Sequence, residues 1–330
     1  MEEKENVLEI NENLVPVSNE KIPNEDDLFV RVKLDETESE HIVSEPYSYW
    51  KSVLRVFIRK PSAIIGLVCL SIMILGMIII PMFAPEDAYT GNIAMASLKP
   101  SSEHLFGTDF IGRDLFFMCW KGLQKSLVLA LITTAIDVLV GTLVGLAWGF
   151  FRKLDPILIE VYNLVSNIPS LLIYMLLAVI FSTAFPGMMA EVKLVIALSI
   201  TSWIGVALFI RNQTLIITNR DYNIASKTLG SSPWRIMIHN LLPYLLAIVI
   251  TELSLMIPGM ISSEVSMSFF GVGLPNSTVS VGVLLNNGRR YFIAYPWQLL
   301  APACTLAFVI FTFYLTGLAL SDALDPKKHR

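Results

Sequence analysis

Apolar residues in this chain gather into long unbroken runs instead of recurring at helix or strand spacing. The first run, Ser62 to Pro85, carries no charge and is long enough to cross a hydrocarbon layer roughly 30 Å thick as a helix. Five more follow: Ser126 to Phe151, interrupted only by Asp137; about Ile157 to Phe185, with Pro169 inside it; Leu194 to Ile210; Leu241 to Ile261, carrying Glu252; and 296–320, within the uncharged stretch Tyr291 to Ser321. The pattern predicts an all-α polytopic membrane protein with six spans, at about 62–85, 126–151, 157–185, 194–210, 241–261 and 296–320. Ahead of the first span, "SYWKSVLRVFIRKPS" alternates Lys51, Arg55, Arg59 and Lys60 with apolar and aromatic positions. It predicts an amphipathic helix over 49–61, lying on the membrane surface.

Residues 1–48 break the pattern. They are rich in Glu, Asp and Asn and poor in aromatics, and such a segment buries too little apolar surface to offset its ordering entropy. We read it as a disordered acidic cytoplasmic tail. A small-residue triplet, Ala94-Met95-Ala96, resembles a cleavage site, but the apolar core before it and the leader ahead of that are both too long for a removable signal. The first span is therefore an anchor. Orientation follows from the basic residues. With the N-terminus inside, cytoplasmic segments hold thirteen Lys and Arg (among them Arg152, Lys153, Arg211, Arg220, Lys227, Arg235, Lys327, Lys328 and Arg330) against seven outside, which favours N-in, C-in.

Composition agrees with the pattern and narrows the chemistry. Mean hydropathy is +0.61, with 54% apolar and 16% charged residues, outside the range of soluble globular chains. The net charge of −4 argues against nucleic-acid binding. Cys69, Cys119 and Cys304 are widely separated and form no metal spacing; Cys69 and Cys304 read as small apolar packers. There is no GxxxxGK[ST] loop for ATP, and no HExxH, GxSxG or GxGxxG, so the chain carries no signature of an enzyme or of a resident cofactor.

One polar passage, "RDYNIASKTLGSSPWRIMIHNLLP" (220–243), lies between the fourth and fifth spans. Asp221 is suited to cap a two-turn helix, Tyr222 to Leu229, that Gly230 stops in a left-handed conformation. Ser232 then caps a second helix with Pro233 at its first position, running into the fifth span near Pro243. A helix so short cannot stand alone; it must pack on its own bundle or dock on a partner.

These residues resemble the EAA loop of bacterial ABC-importer permeases: Glu-Ala-Ala, three residues, Gly, nine residues, Ile, any residue, Leu-Pro. The pattern falls on Ile224, Ala225, Ser226, Gly230, Asn240, Leu242 and Pro243, with Ile224 in place of the Glu and Asn240 in place of the Ile. "EHLFGTDFIGRDLF" (103–116), "SNIPSLL" (166–172), "SFFGVGLP" (268–275) and the "ALDPKKHR" ending resemble segments of the same group in the same order, as in the C-type subunit of oligopeptide and dipeptide permeases. The resemblance implies a conduit with a cytoplasmic EAA coupling loop at 213–240, in which Asp221, Tyr222, Asn223, Ile224, Ala225, Ser226, Gly230 and Pro243 couple it to its motor. It implies as partners a homologous B-type permease, two cytoplasmic ATPases holding ATP and Mg, and an extracellular lipid-anchored peptide-binding protein. It also implies the plasma membrane of a bacterium, the acidic leader pointing to a Gram-positive one. The rivals are a proton-coupled secondary transporter and an ABC importer for nickel or glutathione.

Within the spans, Gly141, Gly145 and Gly149 recur at four-residue intervals and predict a helix-packing face. Asp137 and Glu252 are mid-span acids, costly in lipid, expected to face the interior: either along the peptide route or hydrogen-bonded to a neighbouring helix. His239, at the mouth of the fifth span, reads as a satisfied structural histidine, with a proton relay as the alternative. Gly107, Thr108, Asp109, Gly112, Arg113 and Asp114 read as turn chemistry, with Arg113 either paired to an acid or helping to receive the binding protein.

Overall fold

The computed structural model describes residues Tyr49 to Leu324, and these are helical with no strand. The acidic stretch 1–48 and residues 325–330, with Lys327, Lys328 and Arg330, lie outside the described residues. In chain order the helices are α1 (Tyr49–Arg59), α2 (Pro61–Met82), α3 (Asp87–Thr90), α4 (Leu115–Phe150), α5 (Asp155–Ser166), α6 (Ser170–Ala184), α7 (Ala190–Thr218), α8 (Asp221–Thr228), α9 (Pro233–Arg235), α10 (Leu242–Phe269), α11 (Val281–Arg290) and α12 (Trp297–Leu324). Among the described residues five helices are long and apolar enough to cross a membrane, or six if the bent pair α5–α6 is one span.

That pair covers the third predicted span. The run 157–185 is two helices meeting at 85°, because Pro169 cannot continue a helix and biases Ile168 away from helical backbone. The other bounds shift too, and α2 ends at Met82, short of the predicted Pro85. The second predicted span begins eleven residues earlier, at Leu115, where the Asp114 carboxylate accepts from the amides of Phe116 (2.8 Å) and Phe117 (3.5 Å). At about 1.5 Å per residue the 36-residue α4 is about 54 Å long, so it extends beyond the hydrocarbon layer. The fourth span widens to α7, the fifth continues through α10 to Phe269, and the sixth to Leu324.

α1 forms where the amphipathic helix is predicted, and its apolar face is not given wholly to lipid. Val53 and Phe57 pack with Ala63 against Ala319, Ala323 and Leu324 at the end of α12, while Lys60 Nζ lies 2.8 Å from Asp322 Oδ2. α4 is the central element. Its N-terminal half joins α2, α10, α11 and α12 through Met73, Met77, Leu123, Ile261, Val281 and Val309. Its C-terminal half packs along α7, the most extensive helix contact among the described residues. Gly141, Gly145 and Gly149 line that seam: an added Cβ would sit 2.6 Å from Val206 Cβ at Gly141 and 2.6 Å from Thr214 Cβ at Gly149, and at Gly145 it would overlap the Ala207 carbonyl. The backbones approach this closely only because the three side chains are absent.

Between α2 and α4 the chain folds into a hydrogen-bonded loop. Asp109 accepts from the amides of Ile111 (3.0 Å) and Arg113 (2.9 Å) and pairs with the Arg113 guanidinium at 2.7 Å. Gly112, at φ +83°, permits the turn between them. His104 Nδ1 lies 2.7 Å from the second oxygen of Asp114, and Gln298 of α12 donates to the Thr108 carbonyl at 3.3 Å, tying the loop to the bundle.

Candidate functional site

The passage between α7 and α10 builds a projecting helix on a rigid root. Arg220 is extended (φ −75°, ψ 145°), which ends α7 and lets α8 start. The sequence expectation of Asp221 as the cap shifts by one residue: Arg220 occupies that position with no side-chain cap, and Asp221 is the first helical residue, where its charge suits the positive end of the helix. At the other end Gly230 (φ +81°) donates to the Lys227 carbonyl at 3.1 Å and Ser231 to the Ser226 carbonyl at 3.0 Å, a Schellman closure. Nothing lies within 4 Å of a Cβ at Gly230, so glycine serves the backbone there and not a close approach.

Beyond it Ser232 Oγ accepts from the Arg235 amide at 3.3 Å, with Pro233 in the first turn. The chain then stays helical to Phe269, passing through one widened π-type turn, Ile236–Leu241, before α10. Pro243 accounts for that turn. It has no N–H to offer the His239 carbonyl, its ring would crowd that carbonyl in a regular helix, and widening relieves both. Ile236, Met237, Leu241, Leu245 and Val249 of this root are buried against Leu146 of α4 and Ile210 and Ile217 of α7.

Two asparagines bind α8 to the root. Asn223, only 2% exposed, donates from Nδ2 to the Ile217 carbonyl at 2.8 Å and accepts at Oδ1 from Asn240 Nδ2 at 2.9 Å; Ser226 Oγ lies 3.5 Å from the same Asn240 nitrogen. Arg220 lies over the Tyr244 ring, 4.6 Å from its centroid, and donates to its hydroxyl at 3.0 Å. Tyr222, Ile224, Leu229 and Trp234 are exposed, an apolar surface on an otherwise polar projection. Ala225 and His239 are exposed as well. Beside α8 opens a cleft of about 620 Å³ whose lining includes Arg152, Lys153, Asn223, Ile224 and Lys227. At the start of α5, Asp155 accepts from Arg211 at 2.8 and 2.7 Å and from Trp148 Nε1 at 2.8 Å.

The mid-span acids separate. Asp137 is fully buried on the α4–α7 seam and accepts from Ser202 of α7. Glu252 is half-buried on α10. A third acid, Glu264, escaped the sequence reading because the fifth span was ended at Ile261. It is fully buried near the far end of α10, where Oε2 accepts from Ser126 Oγ at 2.7 Å and Oε1 from Ser268 Oγ at 3.0 Å.

The architecture and the projecting helix define a multi-pass helical membrane protein of the transport-permease class. Residues 138–330 match the family described as binding-protein-dependent transport system inner membrane component, and residues 48–100 match the N-terminal TM domain of oligopeptide transport permease C. The chain belongs to this family. It is 37% identical to an oligopeptide transport system permease protein, AmiD, of Streptococcus pneumoniae, over 92% of this chain and 97% of that protein. It is also similar to two Bacillus subtilis proteins: the oligopeptide transport system permease protein OppC (32% identity; 88% and 93% covered) and the dipeptide transport system permease protein DppC (31%; 96% and 97%).

Proposed function

We propose that this chain is the C-type permease subunit of an ATP-driven oligopeptide importer in the plasma membrane of a Gram-positive bacterium, and that α8 is the helix through which ATPase subunits move it. The observation that carries the reading is mechanical. An exposed helix, Asp221–Thr228, is fastened by Asn223 and Asn240 to a helical rod that continues into the bundle as far as Phe269. A partner gripping Tyr222, Ile224, Ala225 and Leu229 would displace the root of α10 along with α8. The names of the three relatives support peptide as the cargo.

On this reading the N-terminus, α8 and the Arg152–Lys153 turn face the cytoplasm, and the loop before α4 faces outward. A B-type permease completes the pathway, two ATPases bind ATP and Mg and grip one such helix on each permease, and a lipid-anchored binding protein delivers peptide. The chain itself catalyses nothing. Closure of the ATPases on ATP pulls α8 and tilts α10, which switches access between the two membrane faces. Asp137 acts as a clamp between α4 and α7, whereas Glu252 is the acid proposed to meet substrate. Uptake of labelled peptide by proteoliposomes holding the whole complex tests this: it stops when ATP is withheld and persists when the proton gradient is collapsed. Uptake that follows the proton gradient instead assigns secondary transport. ATP-driven uptake of nickel or glutathione without peptide retains the class and changes the cargo.

A further inference from the structure

Glu264 is a buried carboxylate that the lever just described does not use. Ser280 hydrogen-bonds to it, and two further serine hydroxyls that do so are themselves relays. Ser126 Oγ of α4 donates to Glu264 and accepts from the Val281 amide, the first of α11, at 3.3 Å. Ser268 Oγ donates to Glu264 and accepts from the Leu274 amide, within the 270–280 loop, at 3.2 Å. Each serine hydroxyl thus accepts from its amide and directs its one proton to the carboxylate. The surroundings reinforce the arrangement. Ser280 caps α11 by accepting from the Val283 amide at 3.2 Å, Asn286 of α11 donates to the Ser268 carbonyl at 2.9 Å, and an added Cβ at Gly282 would meet Ser268 Cβ at 2.6 Å. Val281 to Gly288 are buried throughout, although Asn286 and Asn287 are polar. The same loop walls a cavity of about 380 Å³, lined also by Ser182 of α6 and Lys193 of α7.

We propose that Glu264 is a positioning residue for transport: by holding the 270–280 loop and the start of α11 through two serine relays, it passes movement of α10 to the end of the pathway opposite α8. This rests on the importer reading, because it treats α10 as the moving rod. A carboxylate suits the role because it accepts from both hydroxyls; Glu264→Gln keeps one carbonyl oxygen and turns an NH₂ group toward a serine whose proton is already directed at it. Glu264→Ala removes both acceptors.

The experiment uses the assembled complex, with two readouts on the wild type and on Glu264→Ala, Ser126→Ala and Ser268→Ala. In hydrogen–deuterium exchange, Glu264→Ala speeds exchange across 271–285 by about tenfold or more and leaves 190–218 unchanged, while each serine variant speeds only the segment its hydroxyl serves. In proteoliposomes, ATP hydrolysed per peptide imported rises about fivefold or more, a ratio that mere loss of folded complex would not alter. Exchange in 271–285 that matches wild type overturns the proposal, and so does an unchanged ATP-to-peptide ratio in variants whose exchange has risen. If Glu264→Ala does not assemble, the two serine variants decide by the same criteria. Failure of the wild-type complex to import peptide on ATP overturns the importer reading instead, and the exchange measurement reads the relays regardless.

Discussion

Asn240 donates from Nδ2 to Asn223 Oδ1 at 2.9 Å, joining the turn that precedes α10 to the buried face of α8 across seventeen residues of sequence. Asn240 stands where the EAA pattern has an isoleucine, so in this chain a hydrogen bond occupies a place where the pattern has an apolar side chain. Asn223 is buried and both the nitrogen and the oxygen of its side-chain amide are engaged, the donor with Ile217 and the acceptor with Asn240.

Asn240→Ile, although it restores the family residue, is therefore expected to destabilise the α8 root by about 1–3 kcal/mol, because it leaves the Asn223 oxygen buried without a donor. A double-mutant cycle with Asn223→Ala, read from exchange protection of 221–230 in the complex, is expected to give a coupling energy of about 1 kcal/mol. A coupling energy indistinguishable from zero would show that the two asparagines do not support one another.

The α4–α7 seam gives a second expectation. Gly145→Val drives a branched side chain into the Ala207 carbonyl and Ile210, and is expected to cost about 1–3 kcal/mol or more, seen as a lowered thermal midpoint in detergent and reduced folded yield. Gly205→Ala on α7, where a Cβ meets nothing within 4 Å, is the matched control and is expected to stay within about 0.5 kcal/mol of wild type. Equal tolerance of both substitutions would mean that the helices do not approach as closely as described.

In the loop before α4, Asp109→Asn removes the counter-charge of Arg113, which is itself buried, and weakens the acceptor of two backbone amides. Breaking a buried pair by removing one partner is expected to cost about 3–5 kcal/mol. Deuterium exchange across 93–114 should rise sharply while the α4–α7 seam stays protected. Unchanged protection of 93–114 would remove the pair from the loop's support.

Much of this was legible in the sequence for a simple reason: long apolar runs and the punctuation Gly230, Ser232, Pro233 act locally. The spans and the helix at 221–228 follow from that. What was not legible depends on side chains meeting across the fold. The Asn223–Asn240 bond joins residues seventeen apart, and Ser126 meets Glu264 across 138 positions. α11 carries the polar Asn286 and Asn287 and is buried nonetheless, because Asn286 bonds inward and Gly288 lies against the backbone of Gln298. Pro169 was visible, but a proline within an apolar run is compatible with a kinked span as well as with a break, and the proline alone does not give the 85° angle between α5 and α6.

The account turns on α8 lying on the cytoplasmic side, where an ATPase can reach it. With Cys69, Cys119 and Cys304 replaced by serine, single cysteines at Leu229, 86% exposed at the end of α8, and at Ile93, 85% exposed before α4, can be tested with a membrane-impermeant maleimide on intact cells. The account predicts that Ile93→Cys is labelled at once, and that Leu229→Cys is labelled only after permeabilisation and is shielded when the ATPase subunits are bound. Labelling of Leu229→Cys in intact cells would contradict it.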